Sequence, residues 1–153
     1  MKIDDDGIVT FDISVIGDVK KQSYIGTFKS MCFLTPLDTI KADKLYRELL
    51  GKDFTLASLD SKNYAFALSQ LKYRLVEVPP FWLNKEIGGG HVDSNVIFTV
   101  LDKALEAEKT YKEQILKETE EIEKKLTTMI KNKSIEKEEE TEITEKLNQS
   151  EEV

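Results

Sequence analysis

Histidine and cysteine often act as nucleophiles, bases or metal ligands, and this sequence contains one of each: His91 and Cys32. Each is the sole residue of its type among the 153. A zinc site built from His and Cys takes about four ligands, so one chain cannot form it. Catalysis by either residue would need an activating partner, and the sequence places none beside them. We therefore expect a loop role for His91 and an inert, buried thiol for Cys32.

Three further patterns resemble functional motifs and lack a necessary part. The run Asp4–Asp6 lacks the alternating ligands and the terminal glutamate of a calcium loop. The glycines 88–90 precede a helix, but no Lys-Ser or Lys-Thr follows them, as a phosphate-binding loop requires. Carboxylate pairs such as Asp38 with Asp43 occur on any soluble domain. From the sequence we therefore expect no catalytic residue, no metal site and no cofactor, and we expect that the protein is not an enzyme.

The charge distribution and the lack of long apolar runs argue against two classes of partner. The first 100 residues hold 13 acids and 12 bases, whereas residues 101–153 hold 16 acids and 10 bases. Phosphate backbones are bound by clustered Lys and Arg, so we expect no nucleic-acid partner. The sequence has no apolar run of about 18 residues and its acidic start does not resemble a signal peptide, so we expect no membrane partner. The lone cysteine suits a reducing cytoplasm.

The N-terminal part alternates like a half-buried β-sheet. In residues 8–16 every second side chain is apolar, and residues 23–34 form a second run rich in β-formers. A short polar connection around Gly17 joins them, which is typical of a β-hairpin. Gly26 within the second run indicates a bulge or a close backbone approach. Because an isolated hairpin is marginal in water, helices must cover one of its faces.

Helical patterns follow the hairpin. Thr35 as N-cap, Pro36 as first residue and Gly51 as C-terminal cap delimit one helix, on which Leu37, Ile40, Leu45 and Leu49 form an approximate apolar stripe. Residues 52–61 read as a loop or short turn. A second helix is predicted over residues 62–76, ended by Pro79-Pro80, and a long third helix begins after Asp93 or Asn95. The predicted fold class is α+β: an N-terminal hairpin packed by about three helices.

The third helix changes character along its length. Its first part has an apolar stripe that should dock on the core, whereas Ile115, Ile122 and Met129 recur at seven-residue spacing among Glu and Lys. This spacing indicates an incompletely specified coiled coil and association between copies through the C-terminal helix. From Lys131 onward we expect an acidic tail that is frayed or disordered. The expected organisation is a small α+β domain over 1–110, a helical extension over 111–130 and the tail over 131–153.

An aromatic loop is the strongest candidate contact site. Phe81 and Trp82 follow two prolines, which restrict the loop, and the flexible glycines 88–90 come after it. We predict these rings as protein-binding residues, with Tyr24 and Phe28 on the second strand. The alternative is that both rings fold back and close the core. We expect a structure that combines the two, with one ring inside and one partly outside. If Trp82 proves to be structural, the contact site lies elsewhere. In that case the exposed face of the 23–31 strand is the better candidate.

Several short runs also resemble a known family. They are Tyr24–Phe28, Leu34–Pro36 and Pro80–Trp82, followed by Asp93, Asn95–Ile97 and Ala107–Glu108. Over about residues 20–112 the pattern is similar to small tailed-bacteriophage proteins encoded in structural-gene clusters, particularly those like tail-assembly chaperones. The resemblance implies a non-enzymatic morphogenesis protein that binds another virion or tail protein in the host cytoplasm. The alternatives are a permanent virion subunit of the neck, head or tail, and a small regulatory or host-directed adaptor.

Overall fold

A computed structural model describes residues 1–82 and 93–150, with side-chain exposure through residue 148. The chain forms two units by its contacts, Met1–Tyr111 and Lys112–Val153. The strands are β1 (Lys2–Ile3), β2 (Ile8–Ile16), β3 (Ser23–Met31) and β4 (Leu75–Glu77). The helices are α1 (Pro36–Leu50), a 3₁₀ turn (Phe54–Leu56), α2 (Leu59–Arg74) and α3 (Ser94–Ser150). The predicted α+β class is confirmed.

The strands form one antiparallel sheet in the order β1-β2-β3-β4. The predicted hairpin is its centre, with a regular register from Ile8 opposite Met31 to Ile16 opposite Ser23. Its turn is closed by a hydrogen bond from the Gly17 amide to the Gln22 carbonyl at 2.9 Å. The short strands β1 and β4, which pair with two residues of β2 and of β3 respectively, were not predicted. Strands of two or three residues leave no periodic pattern to detect.

One face of the sheet forms the core with α2 and the first part of α3. Alternation places the inward residues of β2 and β3 on this face, and the two Phe rings of Phe11 and Phe28 stack there at 5.7 Å. The buried core residues of these elements are Val9, Phe11, Ile13, Tyr24, Phe28, Ala67, Leu71, Val96, Ile97, Val100, Leu101, Ala104 and Ala107. The predicted docking stripe at the start of α3 is thus confirmed.

Local capping explains where α1 and α2 begin and end. The Thr35 hydroxyl accepts a hydrogen bond from the Asp38 amide at 3.1 Å, and Gly51 ends α1 with φ at 79°. The second helix begins at Leu59, three residues before the predicted start, because the Ser58 hydroxyl caps it. It ends at Arg74, since the next residue adopts the extended conformation of β4. The prediction that this helix runs to residue 76 is therefore wrong.

The third helix has 57 residues and reaches Ser150. Its start after Asp93 agrees with the predicted cap position. The structure has helix where we expected a frayed tail after Lys131, because Glu and Lys carry favourable helix propensities even without tertiary contacts. No helix of the described residues is long and apolar enough to cross a membrane.

Candidate functional site

The pairing of α1 with α2 leaves most of α1 in solvent. Ala42 is the buried side chain of α1. The apolar stripe of this helix does not enter the core, because Leu37 and Ile40 remain 59% and 66% exposed and Leu49 is also exposed. Apolar side chains at these positions are only partly removed from water by the fold, and a contiguous group of them is a candidate contact surface.

An open groove of about 320 Å³ lies between α1 and α2. Asp43 and Tyr46 of α1 line it from one side, and Lys62 and Phe66 of α2 line it from the other. A second depression on α1 includes Ile40 and shares Asp43 with the groove, so the two are neighbours on the surface. We call these five residues the α1–α2 surface. It combines exposed apolar side chains with one acidic and one basic group.

The sequence surrounding this surface is rich in exposed apolar residues. Between residues 37 and 66 the exposed large apolar side chains are Leu37, Ile40, Leu49, Phe54, Leu56, Leu59, Tyr64 and Phe66. Such side chains rimmed by charges are typical of protein-binding surfaces. Sequence reasoning missed this region because residues 52–61 looked like a loop. The available signal was the presence of Phe54, Leu56 and Leu59 in a segment that otherwise reads as polar.

Three of the four predicted contact residues are part of the core. Trp82 is 2% exposed, Tyr24 is 3% exposed and Phe28 is fully buried. The Trp82 ring meets the Phe28 ring edge to face, with centroids 5.3 Å apart and planes at 88°. Tyr24 and Phe28 lie on the face of β3 that points into the core. The prediction that they are surface contact residues is therefore wrong. Their apolar area is used in folding and is not available to a partner.

Phe81 is the one predicted contact residue that reaches solvent, and it is half-buried. Its ring lies 5.3 Å from Tyr24 and 6.0 Å from Phe28, each in an edge-on arrangement. The Pro79–Trp82 segment passes directly over Gly26. A Cβ atom added at Gly26 would lie 2.6 Å from the Pro79 side chain. Of the two readings of Gly26, the structure shows the close approach. The expected arrangement of one ring inside and one partly outside is confirmed. The predicted glycine loop 88–90 lies outside the described residues.

The outer face of the sheet is mostly polar. Thr27 donates to the Asp12 carboxylate at 2.5 Å across the hairpin, and Lys29 forms a 2.8 Å ion pair with Glu77 of β4. Ile25, at 69% exposed, is the large apolar residue in the middle of this face. The polar pairs are satisfied within the sheet, so this face offers less apolar area to a partner than the α1–α2 surface does.

A buried carboxylate fixes the hairpin turn to the start of α3. Asp93 is fully buried, and it accepts hydrogen bonds from the Tyr24 hydroxyl at 2.5 Å and from the amides of Val19 and Lys20 at 2.6 and 2.8 Å. Asn95 adds a bond from its side-chain amide to the Ile16 carbonyl at 2.7 Å. These contacts join residues more than 65 positions apart, so they specify how the helix meets the hairpin.

The electrostatics of this cluster favour an ionised Asp93. Burial alone would raise the pKa of Asp93, but the hydrogen bonds from Tyr24, Lys20 and Val19 outweigh it and hold the pKa below its ordinary value. The hydrogen bond to the Asp93 carboxylate, together with burial, raises the pKa of Tyr24. Both shifts stabilise the pair as a tyrosine hydroxyl donating to a carboxylate. That arrangement joins the second strand of the hairpin to the start of α3.

Two other buried polar groups lie in the core. Burial raises the pKa of the Cys32 thiol, which agrees with the predicted inert cysteine. Arg74 donates to the Glu108 carboxylate at 2.6 Å and to the Gln70 side chain at 3.2 Å. The Arg74 and Glu108 side chains are 5% and 18% exposed, so this ion pair between α2 and α3 is shielded from water.

The described residues contain no group of three His, Cys, Asp or Glu side chains that could hold a metal ion. His91 lies outside the described residues. No protein-family model matches this chain, and no curated protein or solved structure is detectably similar to it.

Proposed function

We propose that this chain is a non-enzymatic protein that binds another protein through the α1–α2 surface. The observation that carries the proposal is the exposure of Phe66, at 44%, in an open groove between two helices. Ile40, at 66% exposed, lines a neighbouring depression on α1 that shares Asp43 with this groove. Asn63, Ser69 and Gln70 complete the lining of the groove, so it offers a partner both apolar contacts and hydrogen-bonding groups. A groove between two helices can receive a helix face or an extended segment of a partner. Asp43 and Lys62 at the groove would orient that partner through charge, which favours specificity more than affinity.

The proposed context is the assembly of a tailed-phage tail in the host cytoplasm. This part rests on the resemblance of residues 20–112 to chaperone-like proteins of phage structural-gene clusters. The acidic balance of residues 101–153 supports a chaperone role, because added negative charge keeps a complex soluble. A stoichiometric chaperone would shield apolar surface of a tail protein until that protein polymerises.

Co-expression with tailed-phage tail proteins tests the proposal. The expected result is that one of them is insoluble alone and co-purifies in soluble form with this chain. Phe66→Ser in the groove should abolish the rescue, whereas Ile25→Ser on the outer sheet face should preserve it. Rescue that survives Phe66→Ser would contradict the assigned surface.

Mass spectrometry of purified particles separates the chaperone role from a permanent structural role. A chaperone is expected to be absent from mature virions, and its removal should block tail formation. Stoichiometric amounts of this chain in the particle would instead favour the virion-subunit alternative. Normal particle yield without the chain would contradict both assembly roles and favour an adaptor.

A further inference from the structure

The Lys112–Val153 unit presents an apolar stripe along one side of α3. Every side chain from residue 112 to residue 148 is exposed. The stripe advances in alternating steps of four and three residues through Ile115, Thr119, Ile122, Leu126 and Met129. Its four apolar members are 45% to 60% exposed. This spacing of 3.5 residues is the pattern of a seam between two supercoiled helices.

The polar member of the stripe is compatible with burial. The Thr119 hydroxyl donates to the Ile115 carbonyl, one turn earlier, at 2.8 Å. Its hydrogen-bonding capacity as a donor is therefore met within the helix, and its methyl group is left for packing. A threonine arranged in this way can enter an apolar seam without needing a donor or acceptor from the partner.

Charge limits where two such helices can associate. Residues 112–130 contain five acids and four bases, whereas residues 131–153 contain eight acids and four bases. The nearly neutral segment is the one that carries the continuous stripe, from Ile115 to Met129. In the acidic segment the corresponding positions include Lys133, Glu136 and Glu140, so the seam ends before it.

We propose that residues 112–130 of α3 pair with the same residues of a second copy of this chain in an antiparallel coiled coil. A stripe that is complementary to itself is what a two-fold symmetric interface requires. With the two-fold axis between residues 120 and 121, Ile115 lies opposite Leu126 of the second copy, and Ile122 lies opposite its Thr119. The seam is about 27 Å long at the rise of an α-helix.

The flanking charges decide the orientation. In the antiparallel register Glu118 lies beside Lys125 of the second copy. The two-fold axis generates a second, equivalent pair between Lys125 and Glu118 of the second copy. In a parallel pair Glu118 would instead lie beside Glu123 of the second copy, and the two acidic segments after residue 130 would run side by side. Repulsion would oppose that arrangement, whereas the antiparallel one separates the acidic segments. The proposal concerns self-association and does not depend on the partner bound by the α1–α2 surface.

The oligomeric state of the full chain tests the pairing. Sedimentation equilibrium should show a reversible monomer–dimer equilibrium. Ile122→Glu, within the stripe, should make the chain monomeric. Ile135→Glu is the matched control, because Ile135 is 53% exposed on the same helix but lies off the stripe. A monomeric wild-type chain at several hundred micromolar, or equal loss of the dimer in the control, would overturn the proposal.

A charge reversal then tests the orientation. Glu118→Lys should weaken the antiparallel dimer by roughly threefold to tenfold, since it reverses two exposed ion pairs, and Glu118→Lys with Lys125→Glu should restore it. A parallel dimer would respond in the opposite direction, because Glu118→Lys would relieve repulsion from Glu123. Tighter association of Glu118→Lys would therefore overturn the antiparallel assignment. Circular dichroism of each variant checks that the helix is retained.

Discussion

Replacement of Trp82 by alanine distinguishes a core residue from a contact residue. Trp82 is 2% exposed and packs edge to face on Phe28. A tryptophan buries about 150–250 Å², which corresponds to about 4–6 kcal/mol of apolar transfer free energy as an upper bound. Measured costs of deleting such rings are about 3–5 kcal/mol. We expect Trp82→Ala to lower the free energy of unfolding by that amount, a large part of the stability of an ordinary domain.

The assay is urea unfolding followed by aromatic near-ultraviolet circular dichroism. This signal survives the substitution because the five tyrosines, all within the first 111 residues, remain. Leu56→Ala is the control: Leu56 is 85% exposed, so its loss should change the unfolding free energy by less than about 0.5 kcal/mol. A Trp82→Ala variant within about 1 kcal/mol of the parent would refute the core assignment. It would also restore Trp82 as a candidate contact residue.

Three further predictions concern the buried polar groups and the end of α3. The pKa of Asp93 is lowered in the folded state. Its ionised form therefore stabilises the fold at any pH above the unfolded pKa of about 3.9. This stabilisation is lost as the pH falls through the lower pKa of the folded state. The stability gap between wild type and Asp93→Asn should therefore be widest near neutral pH and narrow as the pH falls below about 3.9; a constant gap would contradict this. Glu108→Ala should lower the free energy of unfolding in urea by about 3 kcal/mol, because it removes the carboxylate that pairs with the buried Arg74. The double variant Arg74→Met with Glu108→Leu should recover most of this loss. A double variant no more stable than Glu108→Ala would contradict this. Truncation after Ile130 should shift the Tm by less than about 3 °C, and a fall of about 10 °C would show that the removed residues pack.

The sequence predicted elements wherever a local rule dominates. The change from two-residue to 3.6-residue periodicity at Thr35 located the boundary between hairpin and helices. The Thr35 cap and Gly51 set both ends of α1 correctly, because capping depends on neighbouring residues alone. The close approach at Gly26 was also readable, since a glycine inside a strand has few other uses.

Features that depend on distant contacts were beyond local patterns. Tyr24 and Phe28 were placed on one face correctly, but which face turns inward depends on α3 and on the Pro79–Trp82 segment packing there. The α1–α2 surface was missed for the same reason: an apolar stripe alone does not tell whether anything covers it. The role of Asp93 in joining the turn to α3 also involves residues far apart in sequence.

The most direct test of the proposed function is the affinity for whichever protein is recovered with this chain in the co-expression experiment. Isothermal titration should show Phe66→Ser weakening the complex by at least about 2 kcal/mol, as expected for a central apolar contact. Ile25→Ser, at a more exposed apolar position on the sheet, should leave the affinity unchanged. Unchanged binding by Phe66→Ser together with lost binding by Ile25→Ser would contradict the account and assign the partner to the outer face of the sheet.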